Sequence, residues 1–266
     1  MLYNWEQPLS TREGTKEFFE EIDHRFFNAI KNIAHPLYPS EAPFNRLIDY
    51  SSLKDKKMLE VGCGSGANAA LFARCGAIVT AIDITDRAVE LTKKRFSVYG
   101  LNGEVLKADA EDMPFDDESF DYIWSWGVIH HTANMKNAIS EIYRVLKQGG
   151  SAQIMVYHKN SFRYWVIGGV YHGIIKGKLF KMSLDEVNKS FTDGYIARHL
   201  TKKEAKDMFK MFSSIKLSVL DQGDHFLPLG KINRFLEKII PGKIFSGLDA
   251  FFMKRFGWFL FIDLIK

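Results

Sequence analysis

The stretch SWGVIHHTAN, Ser125 to Asn134, sets two histidines, His130 and His131, side by side after Trp126 and an apolar run. A free imidazole has a pKa of about 6.5, so either ring could accept a proton near neutral pH. Metal ligation, proton transfer and hydrogen-bonded packing are the three roles to weigh. Adjacent side chains are expected to diverge, and no nearby Cys or Glu completes a set of three or four ligands, so no metal is expected. Base and packing both stay open. Tyr157 and His158, further along, are alternative bases or acceptor contacts, with packing the plainer reading.

A second constellation lies upstream. LEVGCGSGA supplies Gly62, Gly64 and Gly66 directly after an apolar run and before a helical pattern. Glycines there let the backbone turn sharply and approach a ligand closely. Asp83 closes the next apolar run, where a carboxylate can accept hydrogen bonds from ribose hydroxyls. The plainer alternative is a tight turn and a helix cap. The pattern Gly62-x-Gly64-x-x-Ala67 also fits a dinucleotide fingerprint, so a nicotinamide-dependent oxidoreductase is a remote alternative.

These residues need a scaffold that brings strand ends together. KKMLEVG, AIVTAID, GEVLKAD, FDYIWSWG and SAQIMVYH read as strands. SGANAALFARCG, DRAVELTKKRFSVYG and MKNAISEIYRVLK read as helices between them. Such alternation predicts βαβ units, a parallel sheet with helices on both faces, and functional loops at the C-terminal strand ends. Upstream, TKEFFEEIDHRFFNAIKNIA predicts an amphipathic helix capped by Thr15, and SEAPFNRLIDY a short second helix. Downstream, TKKEAKDMFKMF predicts a helix capped by Thr201, IKLSVLDQ a strand and GWFLFIDLI a last strand.

Composition narrows the class. In 266 residues, 46% are apolar, which supports a sizeable core. Cys63 and Cys75 form no disulfide framework, and no leader or transmembrane pattern is evident, so a cytoplasmic protein is expected. Residues 1–158 carry 17 Lys and Arg against 22 Asp and Glu, whereas residues 159–266 carry 19 against 10. That asymmetry suits a solvated lysine-rich face, anion contact or a membrane surface. No nucleic-acid-binding module is evident.

Taken in order, MLEVGCGSG, AIDIT, ADAEDMPF, SWGVIHHT and VLKQGG resemble the class I S-adenosylmethionine-dependent methyltransferases, and within them the type 11 group related to quinone-biosynthesis methyltransferases. The match covers roughly residues 55–158. It implies a Rossmann-like, doubly wound α/β fold with a seven-stranded sheet whose last strand is antiparallel. It also implies S-adenosyl-L-methionine as cofactor and S-adenosyl-L-homocysteine as product. By position, Glu60 would orient the methionine end over the Gly62–Gly66 loop. Asp83 would hold the ribose, with Ile84 against the adenine and Asp109 and Ala110 at its edge. Ser125 and Trp126 would border the methionine portion. His131 is the histidine the family often keeps. Gln148 replaces the family's usual proline, a turn variation.

The resemblance and the residues together imply one methyltransferase domain over residues 1–266. It comprises an N-terminal helical cap (1–54), a cofactor-binding core (55–158), a lid insertion (159–200) and a C-terminal part (201–266) with a second insertion at 223–255. The expected function is methyl transfer to a small-molecule acceptor, amphiphilic or aromatic, with O-, N- and C-methylation open. The alternative is a non-catalytic cofactor-binding or scaffold protein. Arg12, His130 and Tyr164 are candidate acceptor contacts. Residues 159–180 are expected to roof an apolar acceptor pocket, with Tyr157 and His158 at its floor. The chain is expected to act as a monomer or homodimer, with peripheral membrane contact as an open alternative.

Overall fold

The computed structural model describes residues 8–34, 42–192, 196–221 and 242–266. Tyr3 and Trp5, in the N-terminal segment that is a lid candidate beside 159–200, and most of the second insertion lie outside them. Thr15 accepts a hydrogen bond from the Phe18 amide and opens α1 (Lys16–Ala29), as its side-chain chemistry predicts. α1 buries Phe18, Phe19 and Ile22, and a short α2 (Lys31–Ala34) follows. SEAPFNRLIDY departs from expectation. Residues 43–47 form turns, a short 3-10 helix starts only at Tyr50 (Tyr50–Leu53), and Phe44 sits at φ 65°. A side chain at that φ cannot continue a right-handed helix. Instead Phe44 plugs an aromatic cluster, 5.4 Å from Trp124 and 4.8 Å from Trp126.

The α/β core follows the predicted order: β1 (Lys57–Val61), α3 (Ala67–Arg74), β2 (Ile78–Asp83), α4 (Asp86–Tyr99), β3 (Glu104–Lys107), β4 (Phe120–Trp126), α5 (Met135–Val145) and β5 (Leu146–His158). β1, β2, β3, β4 and β5 are mutually parallel where they pair. Their inner members are apolar on both faces because helices cover both sides. A π-helix (Arg163–Ile175) and α6 (Leu184–Lys189) come next, then β6 (His199–Leu200), α7 (Lys202–Met208), β7 (Ser214–Leu220), α8 (Gly242–Phe256) and β8 (Phe259–Ile265).

The sheet runs β3-β2-β1-β4-β5-β8-β7. β8 is antiparallel to both β5 and β7, so the antiparallel last strand is as expected. The strand count differs. β6 is an eighth strand, pairing Tyr157 with His199 and His158 with Leu200. It takes the edge of β5 that opens where β4 stops pairing at Met155. Two residues are too short for a hydrophobic period to register.

Candidate functional site

The glycine loop is built on left-handed backbone. Gly62, Gly64 and Gly66 have φ of 80°, 56° and 77°, which L side chains rarely adopt. Space is equally restrictive. A β-carbon on Gly62 would lie 2.2 Å from Cγ2 of Val128, and one on Gly66 would lie 2.8 Å from Cγ2 of Thr92. The loop is thus wedged between the histidine segment and α4.

Asp83 ends β2 beside this loop. Its Oδ2 accepts from the Gly64 amide at 3.1 Å, and its Oδ1 accepts from the Thr85 amide and hydroxyl at 3.0 and 2.8 Å. Helix-start organisation and loop organisation therefore coexist in one carboxylate. Ile84, next in sequence, is 60% exposed, an apolar side chain presented rather than buried. Asp109 follows β3 and accepts from the Glu111 amide at 2.9 Å. Gly62, Asp83, Ile84, Asp109, Ala110, Val128 and His131 all line one cleft of about 230 Å³. A larger cavity of about 410 Å³, near Gln153 and Asp263, lies at the opposite strand ends. The loops that carry the glycines and Asp83 do not reach it, and ligands of open α/β sheets bind outside the carboxyl ends of the strands.

Beneath the loop, Glu60 is buried and its Oε2 has no hydrogen-bond partner among the described residues. Burial pushes its carboxyl up to about 8, although the Asn68 side chain and the Ala69 amide pull the other way. Ser125 Oγ is likewise buried and unpartnered among the described residues. A side-chain-free floor, a carboxylate at each of two strand ends, an exposed isoleucine and unpaired buried oxygens together fit an adenosyl group with a charged amino-acid end. Trp126 takes a different place. It stacks on Trp124 at 5.6 Å and packs on Phe259 and Phe261, on the opposite sheet face from Ser125 because side chains alternate along a strand.

The histidines are closer than expected. Ile129–His131 form a 3-10 turn, which brings the two rings to 4.1 Å instead of splaying them as an extended chain would. His131 lines the cleft, and its Nδ1 meets the Ile196 carbonyl. A nitrogen facing a carbonyl must carry the hydrogen, so Nε2 is the unprotonated nitrogen of the neutral ring. His130 is fully buried, with neither ring nitrogen partnered among the described residues. Burial, then the neighbouring His131, His199 and Arg198, holds its pKa well below the ordinary value. Inaccessible and neutral, it packs where acceptor contact was expected.

Tyr157 and His158 do not form a pocket floor. Neighbouring strand residues face opposite ways. Tyr157 turns into a cluster with His130 at 4.2 Å, Trp258 at 4.6 Å and His199 at 5.3 Å. His158 is buried, and its Nδ1 donates to the Gly257 carbonyl at 3.0 Å. Tyr164 is buried too, its hydroxyl on Asp185 and its ring 5.0 Å from His199. Arg12 is exposed in the turn before α1, where its carbonyl accepts from Thr15, and is not among the residues lining the cleft. No residue of 159–180 lines the cleft either, so the roof expected there is not formed by the described residues. The insertion contributes from its far end. Ile196 holds His131, and Arg198 donates from its amide to His130 O at 3.1 Å and from its guanidinium to Ala133 O at 2.6 Å.

Two further residues matter. Arg95, wholly buried, donates from Nε to Ser65 O at 2.7 Å and so fixes the glycine loop from α4. Its sequence signal was its place on the apolar stripe with Ala88, Thr92 and Phe96. His199 carried no such signal, since β6 is too short to predict.

Residues 59–154 match a family described as "Methyltransferase domain". The phthiotriol/phenolphthiotriol dimycocerosates methyltransferase of Mycobacterium tuberculosis is 34% identical over 43% of this chain and 45% of its own. The Mycobacterium leprae protein of the same name is 28% identical over 66% of each. A ubiquinone biosynthesis O-methyltransferase of Saccharophagus degradans is 29% identical over 52% of this chain and 58% of its own. The chain thus spans under half the length of the first of these relatives. Among solved structures, a possible histamine N-methyltransferase from Thermotoga maritima superposes with a TM-score of 0.54 at 21% identity, covering 94% of this chain and 97% of that one.

Proposed function

We propose that this chain, a member of the class I S-adenosylmethionine-dependent methyltransferases, transfers a methyl group to a small amphiphilic acceptor. The observation that carries the reading is one cleft lined jointly by Gly62, Asp83, Ile84, Asp109 and His131. S-adenosylmethionine, when bound, supplies an already activated methyl sulfonium. Asp83 and Asp109 would hold the adenosyl portion, with Ile84 beside it, and Glu60 and Ser125 would meet the charged end. His131 sits at the edge of the same cleft, oriented by Ile196, with Nε2 as the nitrogen able to take a proton from a hydroxyl acceptor.

The relatives' names, a phthiotriol/phenolphthiotriol dimycocerosates methyltransferase and a ubiquinone biosynthesis O-methyltransferase, support a lipid-like acceptor, and the second of them a methylated oxygen. The test is a calorimetric titration with S-adenosylmethionine and S-adenosylhomocysteine, followed by labelled-methyl transfer to a panel of long-chain and phenolic hydroxyl compounds. Tight binding with label transferred supports the reading. Binding without transfer to any acceptor favours a scaffold role, and preference for a nicotinamide dinucleotide overturns it.

A further inference from the structure

The π-helix divides its residues by a spacing of four to five, as its wide turn requires. Tyr164, Gly168, Gly169 and Gly173 are buried on one side. Three of them are glycines, and at Gly168 and Gly173 other side chains occupy the space. A β-carbon on Gly168 would lie 2.3 Å from Asn188 Oδ1, and one on Gly173 would lie 2.7 Å from Leu179 Cδ1. The opposite side exposes Trp165, Val166, Val170, Tyr171, Ile174 and Ile175, with the last two 65% and 68% exposed. The exposed residues of this helix are all aliphatic or aromatic, Tyr171 carrying their one hydroxyl, while Arg163 and His172 are half-buried. A contiguous apolar face of this kind marks an interaction surface.

We propose that this outer face docks on the surface of an anionic lipid bilayer. Charge selects that occupant. Lys176, Lys178 and Lys181 belong to the segment 164–183, which contains no Asp or Glu. Lys176 lies 5.6 Å from the centre of the Tyr171 ring, at the margin of the apolar face. Cations rimming Trp, Tyr and aliphatic residues are the composition of a helix lying in a bilayer interface. Thirteen residues fall short of the about 20 that cross a membrane, so the helix lies on the surface. A second copy fits less well, because an isologous contact would set the two cationic rims against each other. The inference rests on this face alone and not on methyl transfer.

The test is sedimentation of the intact protein with vesicles of phosphatidylcholine, with and without phosphatidylglycerol. We expect binding to the anionic vesicles that high salt weakens. Ile174→Asp with Ile175→Asp, or Lys176→Glu with Lys181→Glu, should weaken partitioning by roughly tenfold or more. Neither pair lines the cleft, so S-adenosylmethionine affinity, measured alongside, should stay unchanged. Should a variant fail to fold, quenching of the wild-type protein by bromine-labelled lipid, compared with Trp165→Phe, reads the same contact. Failure of the wild type to bind anionic vesicles overturns the proposal. So does a dimer in light scattering that Ile174→Asp dissociates, which would assign the face to a second copy.

Discussion

Arg95 and Asp23 form a two-pronged ion pair, 2.7 and 2.8 Å, that ties α1 to α4 beneath the glycine loop. The same guanidinium stacks over Phe19 at 4.5 Å and holds the Ser65 carbonyl. Asp23→Ala would leave a buried cation short of its partner. We expect a loss of roughly 2–3 kcal/mol in denaturant unfolding, below the full cost of breaking a buried pair because the Asp23 side chain stays 26% exposed. Cofactor affinity should fall as well, since the loop loses its support. Unchanged values in both measurements would refute a positioning role for the pair.

Asp83 offers a sharper test of the cleft. Asp83→Ala removes a carboxylate that would meet the ribose, and S-adenosylmethionine affinity should drop by about 1.5–3 kcal/mol, the scale for hydrogen bonds to a charged group. Gly64→Val should weaken it further, because a branched residue at φ 56° is strained. Calorimetry decides, and wild-type affinity in both variants would remove the cofactor assignment.

Glu60 and His199 should shape stability with pH in opposite directions. Burial raises Glu60 from 4.5 to about 8, so the folded state holds a proton that the unfolded chain releases. Its contribution is present below pH 4.5 and is lost as pH rises towards 8, by about 1.4 kcal/mol per pH unit in between. Burial lowers His199 from 6.5 to about 4, so its contribution is present above 6.5 and is lost as pH falls towards 4. Between about pH 4.5 and 6.5 the two oppose each other, and from 6.5 to 8 Glu60 acts alone. Urea titrations of the ligand-free protein should show stability declining over that upper window, and Glu60→Gln should flatten it. A decline that survives in Glu60→Gln would assign it to another group.

His131 and His158 should separate cleanly. His131→Ala is expected to lower turnover by about 10²–10⁴-fold while cofactor affinity holds, as for loss of a proton acceptor. His158→Ala should act on melting temperature, because its buried ring secures Gly257 between α8 and β8. If His131→Ala instead lowers melting temperature and leaves turnover per folded molecule intact, its ring serves packing.

Sequence alone determined the alternation of β1 to β5 with their helices, because each element is long enough for its period to show and each turn carries a glycine or a capping hydroxyl. The residues themselves pointed to the glycine loop and Asp83, and the resemblance to class I methyltransferases added Ile84, Asp109 and Ala110, which line one cleft with Gly62 and Asp83. Sequence could not give the directions of single side chains beyond β4. Trp126, Tyr157 and His158 were all aimed at the cleft, yet alternation along a strand sends neighbours to opposite faces. Only tertiary contacts decided that β6 slips in beside β5, that Ile196 and Arg198 secure the histidine turn, and that Arg95 reaches Ser65 and Asp23. Those pairs lie 30 to 72 residues apart, beyond any local period. The insertion shows the limit most plainly. Its apolar residues were expected to bury, whereas Gly168 lets Asn188 of α6, and Gly173 lets Leu179, close on one side of the π-helix, and the larger side chains face out. Hydrophobicity states that such residues favour leaving water, but the packing of the chain decides whether the protein itself provides the place.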